Sequence, residues 1–338
     1  MSLKTIPRCA LCVAALLLAA ALPAIPAEAA WPGREGAVLY RGLEPGFESE
    51  GWEPVGLSQT GLGVFQIKDR VTTDPGDQDP QVSPNGRLVV FARGVEANEY
   101  GGVTARAIFV MRRDGSQLRQ LTRPHPASSD LEPTFDASGQ RVLFVRVGDE
   151  TVRGTSRGDI YSVNLAGQDL QQLTSGPAAD SSPAASPRGR QVVFVRRGWQ
   201  LPGGGRSNLQ HLFSMRPDGS RLRDLMPRLN PRAAAADPDF SPDGRIIAFT
   251  ISGGLSDIFT MRANGARLRR LTGRNRHAVL HAYGYSEPAF SPAGGRLFAV
   301  AKNIYNTDLA RIDLAHPDHP DRLSSGDQPV WAPAARGR

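Results

Sequence analysis

The chain has 338 residues, with 40 Lys+Arg against 33 Asp+Glu. Only Lys4, Lys68 and Lys302 are lysines, so the basicity is arginine scattered along the chain, not the single aromatic-interleaved run of a nucleic-acid binder. Both cysteines, Cys9 and Cys12, fall within the first 30 residues, which leaves the rest without disulfides, a thiolate nucleophile or a Cys-based zinc site.

Residues 1–30 differ in kind from the rest of the chain. Lys4 and Arg8 form a basic start, Cys9 to Leu22 is almost wholly apolar, and Ala27-Glu28-Ala29 offers small residues for cleavage. This is the pattern of a secretory signal peptide cut after Ala29 or Ala30. The apolar core is about 14 residues, short of the roughly 20 that span a bilayer. The expected mature protein is periplasmic or secreted, monomeric, without a membrane span.

Next, Gly36–Arg41, Leu62–Lys68 and Arg70–Thr73 read as strands, with a Gly/Pro/Glu-rich loop from Gly42 to Gly61 that holds Trp52. A repeating unit then begins at Asp79-Pro80, with QVSPNG, the run Arg87–Arg93, Ala107–Met111, the turn Asp114-Gly115 and Leu118–Thr122. The second copy runs from Glu132-Pro133 through TFDASG, RVLFVRV, Asp159–Val163 and Ala166-Gly167 to Thr174. The third carries Ser182-Pro183, AASPRG, RQVVFVRR, His211–Met215 and Asp218-Gly219. The fourth is the clearest: DPDFSPDGRIIAFTISGGLSDIFTMRANGARLRRLT, from Asp237 to Thr272. The fifth extends from Glu287-Pro288 through Asp308–Ile312 to Arg322-Leu323-Ser324, and Gln328–Pro333 (QPVWAP) starts a sixth.

Pro84, Ala137, Pro187, Pro242 and Pro292 mark equivalent points, 53, 50, 55 and 50 residues apart. That period, with four short strands per copy, is the signature of a β-propeller blade. The first apolar run of each copy is hydrophobic at consecutive positions, as in a strand covered on both faces. Asp-Gly and Asn-Gly supply the positive φ of tight hairpins. The expected fold is an all-β, six-bladed β-propeller of four-stranded antiparallel blades. QPVWAP would be the innermost strand of a composite sixth blade made with residues 36–73; five blades with loose ends is the competing arrangement. Residues 31–338 then form one propeller domain.

The run of acid-Pro, F-S-P-D-G-R, apolar strand, D-I-F-T-M, D/N-G turn and L-R-x-L-T resembles the TolB-like propeller repeat over residues 79–333. The resemblance implies an exported envelope protein, since TolB's propeller docks a peptidoglycan-associated lipoprotein. TolB also carries an α/β domain before its propeller, for which too few residues stand here. Similar repeats form the gating propeller of prolyl-oligopeptidase-type peptidases, whose Gly-x-Ser-x-Gly hydrolase domain has no counterpart here. Oligogalacturonate lyases use a related seven-bladed scaffold with a histidine-rich metal centre.

Two features point to a site. The residues before the repeated prolines are Asp79, Glu132, Ser182, Asp237, Glu287 and Gln328. In a closed ring they circle the tunnel mouth, where Asp79, Glu132, Asp237 and Glu287 could hold a cation or a basic peptide end; alternatively each caps its own turn. The strand 2–3 and inter-blade loops vary in length on one face, as binding surfaces of repeat proteins do. Tyr100, Trp199, Tyr283 and Tyr285 lie there as candidate aromatic anchors.

Chemistry is sparse. His277 and His281, four apart, lack helical flanks and an intervening acid, and His316 and His319 sit in a Pro-broken turn, so no metal site is expected. Gly203-Gly204-Gly205 lacks the Lys-Ser/Thr of a phosphate loop. Asp149-Glu150 and Asp318–Asp321 read as exposed acids. No cofactor and no catalytic residue is expected. The sequence thus favours an exported, non-catalytic scaffold binding a protein or peptide, or cell-wall glycan, in the cell envelope. The alternative is a propeller hydrolase or lyase acting on a carbohydrate or lactone at the tunnel mouth, with His277, His281 and the acid ring as its chemistry. A regulatory propeller serving a separate peptidase is a third reading.

Overall fold

The structure, a computed structural model, describes residues 37–45, 52–60, 67–70, 77–97, 103–126, 128–148, 157–198, 209–227, 234–253, 255–272, 284–302, 307–317 and 321–332. Among them every regular element is a strand, and no helix is long and apolar enough to cross a membrane. The candidate signal peptide lies outside the described residues.

Three strands come first: β1 (Ala37–Pro45), β2 (Trp52–Thr60) and β3 (Ile67–Arg70). Blade 1 follows as β4 (Gln78–Val82), β5 (Leu88–Ala97), β6 (Val103–Arg112) and β7 (Arg119–Gln120). Blade 2 is β8 (Ser129–Phe135), β9 (Arg141–Val147), β10 (Gly158–Asn164) and β11 (Gln171–Gln172). Blade 3 is β12 (Ala179–Ala185), β13 (Val192–Arg197), β14 (Gln210–Met215) and β15 (Arg223–Asp224). Blade 4 is β16 (Ala234–Phe240), β17 (Ile246–Ser252), β18 (Ser256–Arg262) and β19 (Arg269–Arg270). Blade 5 comprises β20 (Gly284–Phe290), β21 (Arg296–Lys302), β22 (Thr307–Asp313) and the first half of β23 (Asp321–Ala332). Within each blade successive strands pair antiparallel.

The expected consecutive burial is present. Val192–Val195, Ile247–Phe249 and Leu297–Ala301 are buried along their length because neighbouring blades cover both faces. The apolar clusters run between blades: Val90, Ile108 and Leu121 of blade 1 pack on Phe135, Val142 and Phe144 of blade 2. Val193, Leu212 and Leu225 of blade 3 pack likewise on Phe240, Ile247 and Phe249 of blade 4. A single blade buries too little apolar surface to be stable alone, and stacking supplies it.

The Leu-Thr that ends blades 1, 2 and 4 has a separate cause. Thr122, Thr174 and Thr272 are buried, and their hydroxyls accept the N–H of Ile108, Ile160 and Ile258 at 2.9–3.0 Å, satisfying a strand-3 donor that the two-residue outer strand does not reach. The Asp-Gly turns pack tightly against the preceding blade. At Gly219, with φ near 84°, a Cβ would stand 2.5 Å from the carbonyl of Leu173, so only glycine fits.

The ends meet. β23 is one continuous strand, where the sequence suggested two short ones. Its first half pairs with β22, Asp308 opposite Ser325, and its second half with β1, Val38 opposite Trp331 and Ala37 opposite Ala332. β2 lies between β1 and β3. This corrects the expected loop from 42 to 61: Trp52–Thr60 is a strand, in which Val55 and Leu57 alternate with Pro54, Gly56 and Ser58, a period-2 pattern obscured by Gly and Pro. Of the expected strand Leu62–Lys68, residues 62–66 lie outside the described residues and Ile67–Lys68 belong to β3.

A composite sixth blade requires the β23–β1 pairing. Deleting Gln328–Trp331 is expected to lower the melting midpoint by roughly 10 °C, since a few kcal/mol shifts a chain of this size by that much. An unchanged cooperative transition would contradict such closure.

Candidate site between the inner strands

Every innermost strand is interrupted at the same place. Opposite β5, Gln78 pairs with Ala92 but Gln81 with Val90, so one extra residue is accommodated at Asp79-Pro80. The same shift falls between Leu131 and Thr134, Ser181 and Ala184, Ala236 and Asp239, and Ser286 and Ala289. Each is a β-bulge holding a proline, whose missing N–H removes it from the ladder. The residue before each proline is left-handed: φ is 53° at Asp79, 51° at Glu132, 49° at Ser182, 50° at Asp237 and 53° at Glu287. For non-glycine residues this costs about 1 kcal/mol each and persists only where the surroundings enforce it.

At Glu132, Ser182 and Glu287 a hydrogen bond to the preceding blade holds it. Asp79 Oδ2 accepts the N–H of Glu132 at 3.2 Å, and Glu132 Oε2 accepts the N–H of Ser182 at 2.5 Å. Between blades 4 and 5 a hydroxyl intervenes: Thr250 Oγ1 donates to Asp237 Oδ2 at 3.3 Å and accepts the N–H of Glu287 at 3.2 Å. Asp79 and Glu132 thus bond the next blade and do not cap their own turns. The bulges at Glu132, Ser182 and Glu287 aim their N–H at the preceding blade, where an acid or a hydroxyl bound to one receives it.

The bulges surround one cavity of about 300 Å³, lined by the five X-Pro pairs and the residues after them. Asp79, Glu132, Asp237 and Glu287 all line it, at the bulges of the inner strands. A further carboxylate, Asp239, joins them and accepts the N–H of Phe290 at 2.7 Å. No described lining residue is basic. Burial, and then the neighbouring charge of Asp79, push the Glu132 carboxyl up to about 7; its bond from Ser182 opposes this and Asp237 adds to it. Burial raises Asp239 to about 7, against the pull of its bonds from Phe290 and Phe240. Among the described residues no three His, Cys, Asp or Glu side chains converge as a metal site would require.

A second set of carboxylates, two residues before the bulges, was not singled out from the sequence. Asp77, Asp130 and Asp180 are buried, and each takes a bidentate pair from an arginine opposite it on strand 2: Arg93, Arg146 and Arg196, at 2.6–2.8 Å. Each guanidinium also sits 5.1–5.5 Å from the centroids of two rings, Phe91 and Phe109, Phe144 and Tyr161, or Phe194 and Phe213. Blade 4 places Ala235 opposite Ile251 there, and blade 5 Tyr285 opposite Ala301. The signal was an Asp with an Arg sixteen residues on, in three copies.

Tyr285 therefore corrects another expectation. It stands on β20, 4% exposed, in the core between blades 4 and 5, where it fills the space that an Asp–Arg pair occupies elsewhere; it is not a loop anchor. Tyr100, Trp199, Tyr283, His277, His281, His319, Gly203–Gly205 and Asp149-Glu150 lie outside the described residues. His316 is exposed in the last turn of blade 5.

No family model matches the chain. Over 170 residues it is 29% identical to the Tol-Pal system protein TolB of Anaeromyxobacter dehalogenans (strain 2CP-1 / ATCC BAA-258), a match covering 48% of this chain and 34% of that one. A TolB homolog of Chlorobium luteolum is 26% identical over 240 residues, 67% of this chain and 49% of the other. The crystal structure of TolB from Acinetobacter baumannii superposes with a TM-score of 0.63 at 16% identity, over 88% of this chain and 67% of that one. The chain is a TolB-like, propeller-type relative. It matches about a third to a half of the length of these two TolB relatives.

The raised Glu132 carboxyl has a pH consequence. The folded group titrates near 7 and its ordinary value is 4.5, so between those values the native state binds more protons than the unfolded chain. Stability from this group is present at the acid end of that window and is lost as pH rises through 7. Glu132→Gln is expected to match the wild type near pH 5 and exceed it by about 1–3 kcal/mol near pH 7.5 in urea titrations. An equal difference at both values would place Glu132 in the ordinary carboxylate range.

Proposed function

We propose that this protein is an exported, non-catalytic binding scaffold of the cell envelope, which takes a protein or peptide partner on the face bearing the long loops and admits the partner's basic end into the tunnel. The observation that carries this reading is the cavity of about 300 Å³ with five carboxylates and no basic group among its described lining residues. Such a space favours an ammonium or guanidinium group over an anion, because positive charge relieves the mutual repulsion of Asp79, Glu132 and Asp237. Its rigid rim of prolines is already shaped before binding, which lowers the entropic cost of capture.

Three further observations support the reading. The signal-peptide pattern of residues 1–30 points to export. The likeness is to proteins named for the Tol-Pal system, and the repeat resemblance implies an envelope protein. The ring acids are occupied in joining one blade to the next, a role suited to a fixed receptor more than to proton transfer.

Cross-linking in intact envelopes followed by mass spectrometry tests it. The wild type is expected to recover a protein partner whose cross-linked segment is basic. D79N/E132Q/D237N/E287Q, checked for an unchanged fold by circular dichroism, is expected to lose at least about tenfold of that yield. An unchanged partner yield in the folded variant would remove the tunnel acids from binding; turnover of a glycan or lactone by purified protein, with no partner recovered, would overturn the scaffold reading.

A further inference from the structure

The strand 1–2 and 3–4 turns share the face opposite the long loops, and backbone bonds knit them together. The N–H of Arg113 donates to Arg87 O at 2.9 Å, that of Ala263 to Arg245 O at 2.8 Å, and that of Leu314 to Gly295 O at 3.0 Å. Neighbouring blades join there as well, through Arg188 Nε to Asp243 O at 2.5 Å and Gln191 Nε2 to Ala263 O at 3.0 Å. Short turns of similar length, bonded to one another, make a low and even surface.

On blades 3 and 4 that surface is strongly basic. Blade 3 contributes SPRGRQ and RPDGSRLR and blade 4 SPDGRI and RANGARLRR; blade 1 carries RRDGSQLR, whereas the corresponding NLAGQDLQ of blade 2 carries no basic residue. Arg190, Arg216, Arg223, Arg262 and Arg269 are all exposed. The two acids within these segments serve their own turns: Asp218 accepts the N–H of Ser220, and Asp243 accepts from Ser241 Oγ and the N–H of Arg245.

Leucines stand among these arginines, at a position that recurs as Leu118 and Leu170 in blades 1 and 2. Leu222 and Leu268 are each 48% exposed, immediately before the outermost strands. The leucine three positions on is the one that faces inward: Leu225 is buried and Leu271 packs against a core cluster. An outer-edge strand guarded by arginine alone would resist edge pairing equally well.

We propose that this basic, leucine-bearing turn face of blades 3 and 4 docks the protein onto the surface of an anionic phospholipid bilayer. Guanidinium groups are drawn to anionic headgroups, and leucines at the same level enter the headgroup boundary. An even face suits a planar partner. The four segments contain no aromatic residue on which unpaired bases could stack, which argues against a nucleic acid as the occupant. Docking this way turns the long-loop face outward.

Vesicle co-sedimentation of the purified protein provides the test. Binding is expected to phosphatidylcholine vesicles containing about 30 mol % phosphatidylglycerol, with little to phosphatidylcholine alone. It should fall steeply as salt is raised from about 50 to 500 mM. R216E/R223E/R262E/R269E is expected to weaken it by about six-hundredfold or more, at roughly fivefold for each arginine near an anionic surface. L222S/L268S, which keeps every charge, is expected to weaken it by about fivefold or more. The proposal fails if the wild type does not sediment with the anionic vesicles. It also fails if L222S/L268S binds them as the wild type does, the behaviour of a general polyanion site. Should the fourfold reversal not fold, the leucine variant decides alone.

Discussion

The left-handed residue before each inner-strand proline is the constraint on which the rest of the molecule depends. Without it the innermost strands would run as regular ladders, with their N–H groups spent on strand 2. At Glu132, Ser182 and Glu287 the bulge frees an N–H and turns it toward the preceding blade, where an acid or a hydroxyl bound to an acid receives it. Three of the five left-handed conformations, each unfavourable alone, are thus held by non-local bonds. The same bulges set the prolines and the carboxylates around the cavity. Scaffold and candidate site are therefore one feature, and the acids cannot be weighed for binding without also weighing their part in joining blades.

The position two residues upstream shows a different solution in different blades. Blades 1 to 3 bury an Asp–Arg pair beneath two aromatic rings; blades 4 and 5 use Ala235 with Ile251 and Tyr285 with Ala301. Burying two charges costs several kcal/mol in desolvation, which a bidentate, ring-stacked geometry offsets, and a well-packed apolar pair of similar volume serves as well. The chain contains both versions of that comparison at equivalent positions of one fold. Losing one partner of a pair is the damaging change, because it leaves a buried charge uncompensated.

Much of the architecture was legible because it is local and repeated. The spacing of the SPDG-like turns, the consecutive apolar runs and the Asp-Gly hairpins each follow from short-range backbone and packing rules, and they fall where the strands and turns lie. The second strand was hidden because Pro54 and Gly56 interrupt a pattern that only its two paired neighbours reveal. The acid ring was visible as a repeated residue, but its bonding was not, since Asp79 meets Glu132 only after blades 1 and 2 stack. Asp239 escaped notice for the same reason: its partner, Phe290, lies 51 residues away in the next blade. Tyr285 looked like a loop residue until its place opposite Ala301 showed that it substitutes for an ion pair.

The blade-to-blade relay makes specific backbone amides the most direct witnesses of the arrangement. Native-state hydrogen exchange of the Glu132, Ser182 and Glu287 N–H groups measures whether they are bonded across the blade interfaces. Exchange only through global unfolding, as slow as that of the core strand residues Val193 and Ala248, is the expected result. Fast exchange at these three positions, with the flanking strands still protected, would contradict left-handed bulges held in place by the preceding blade.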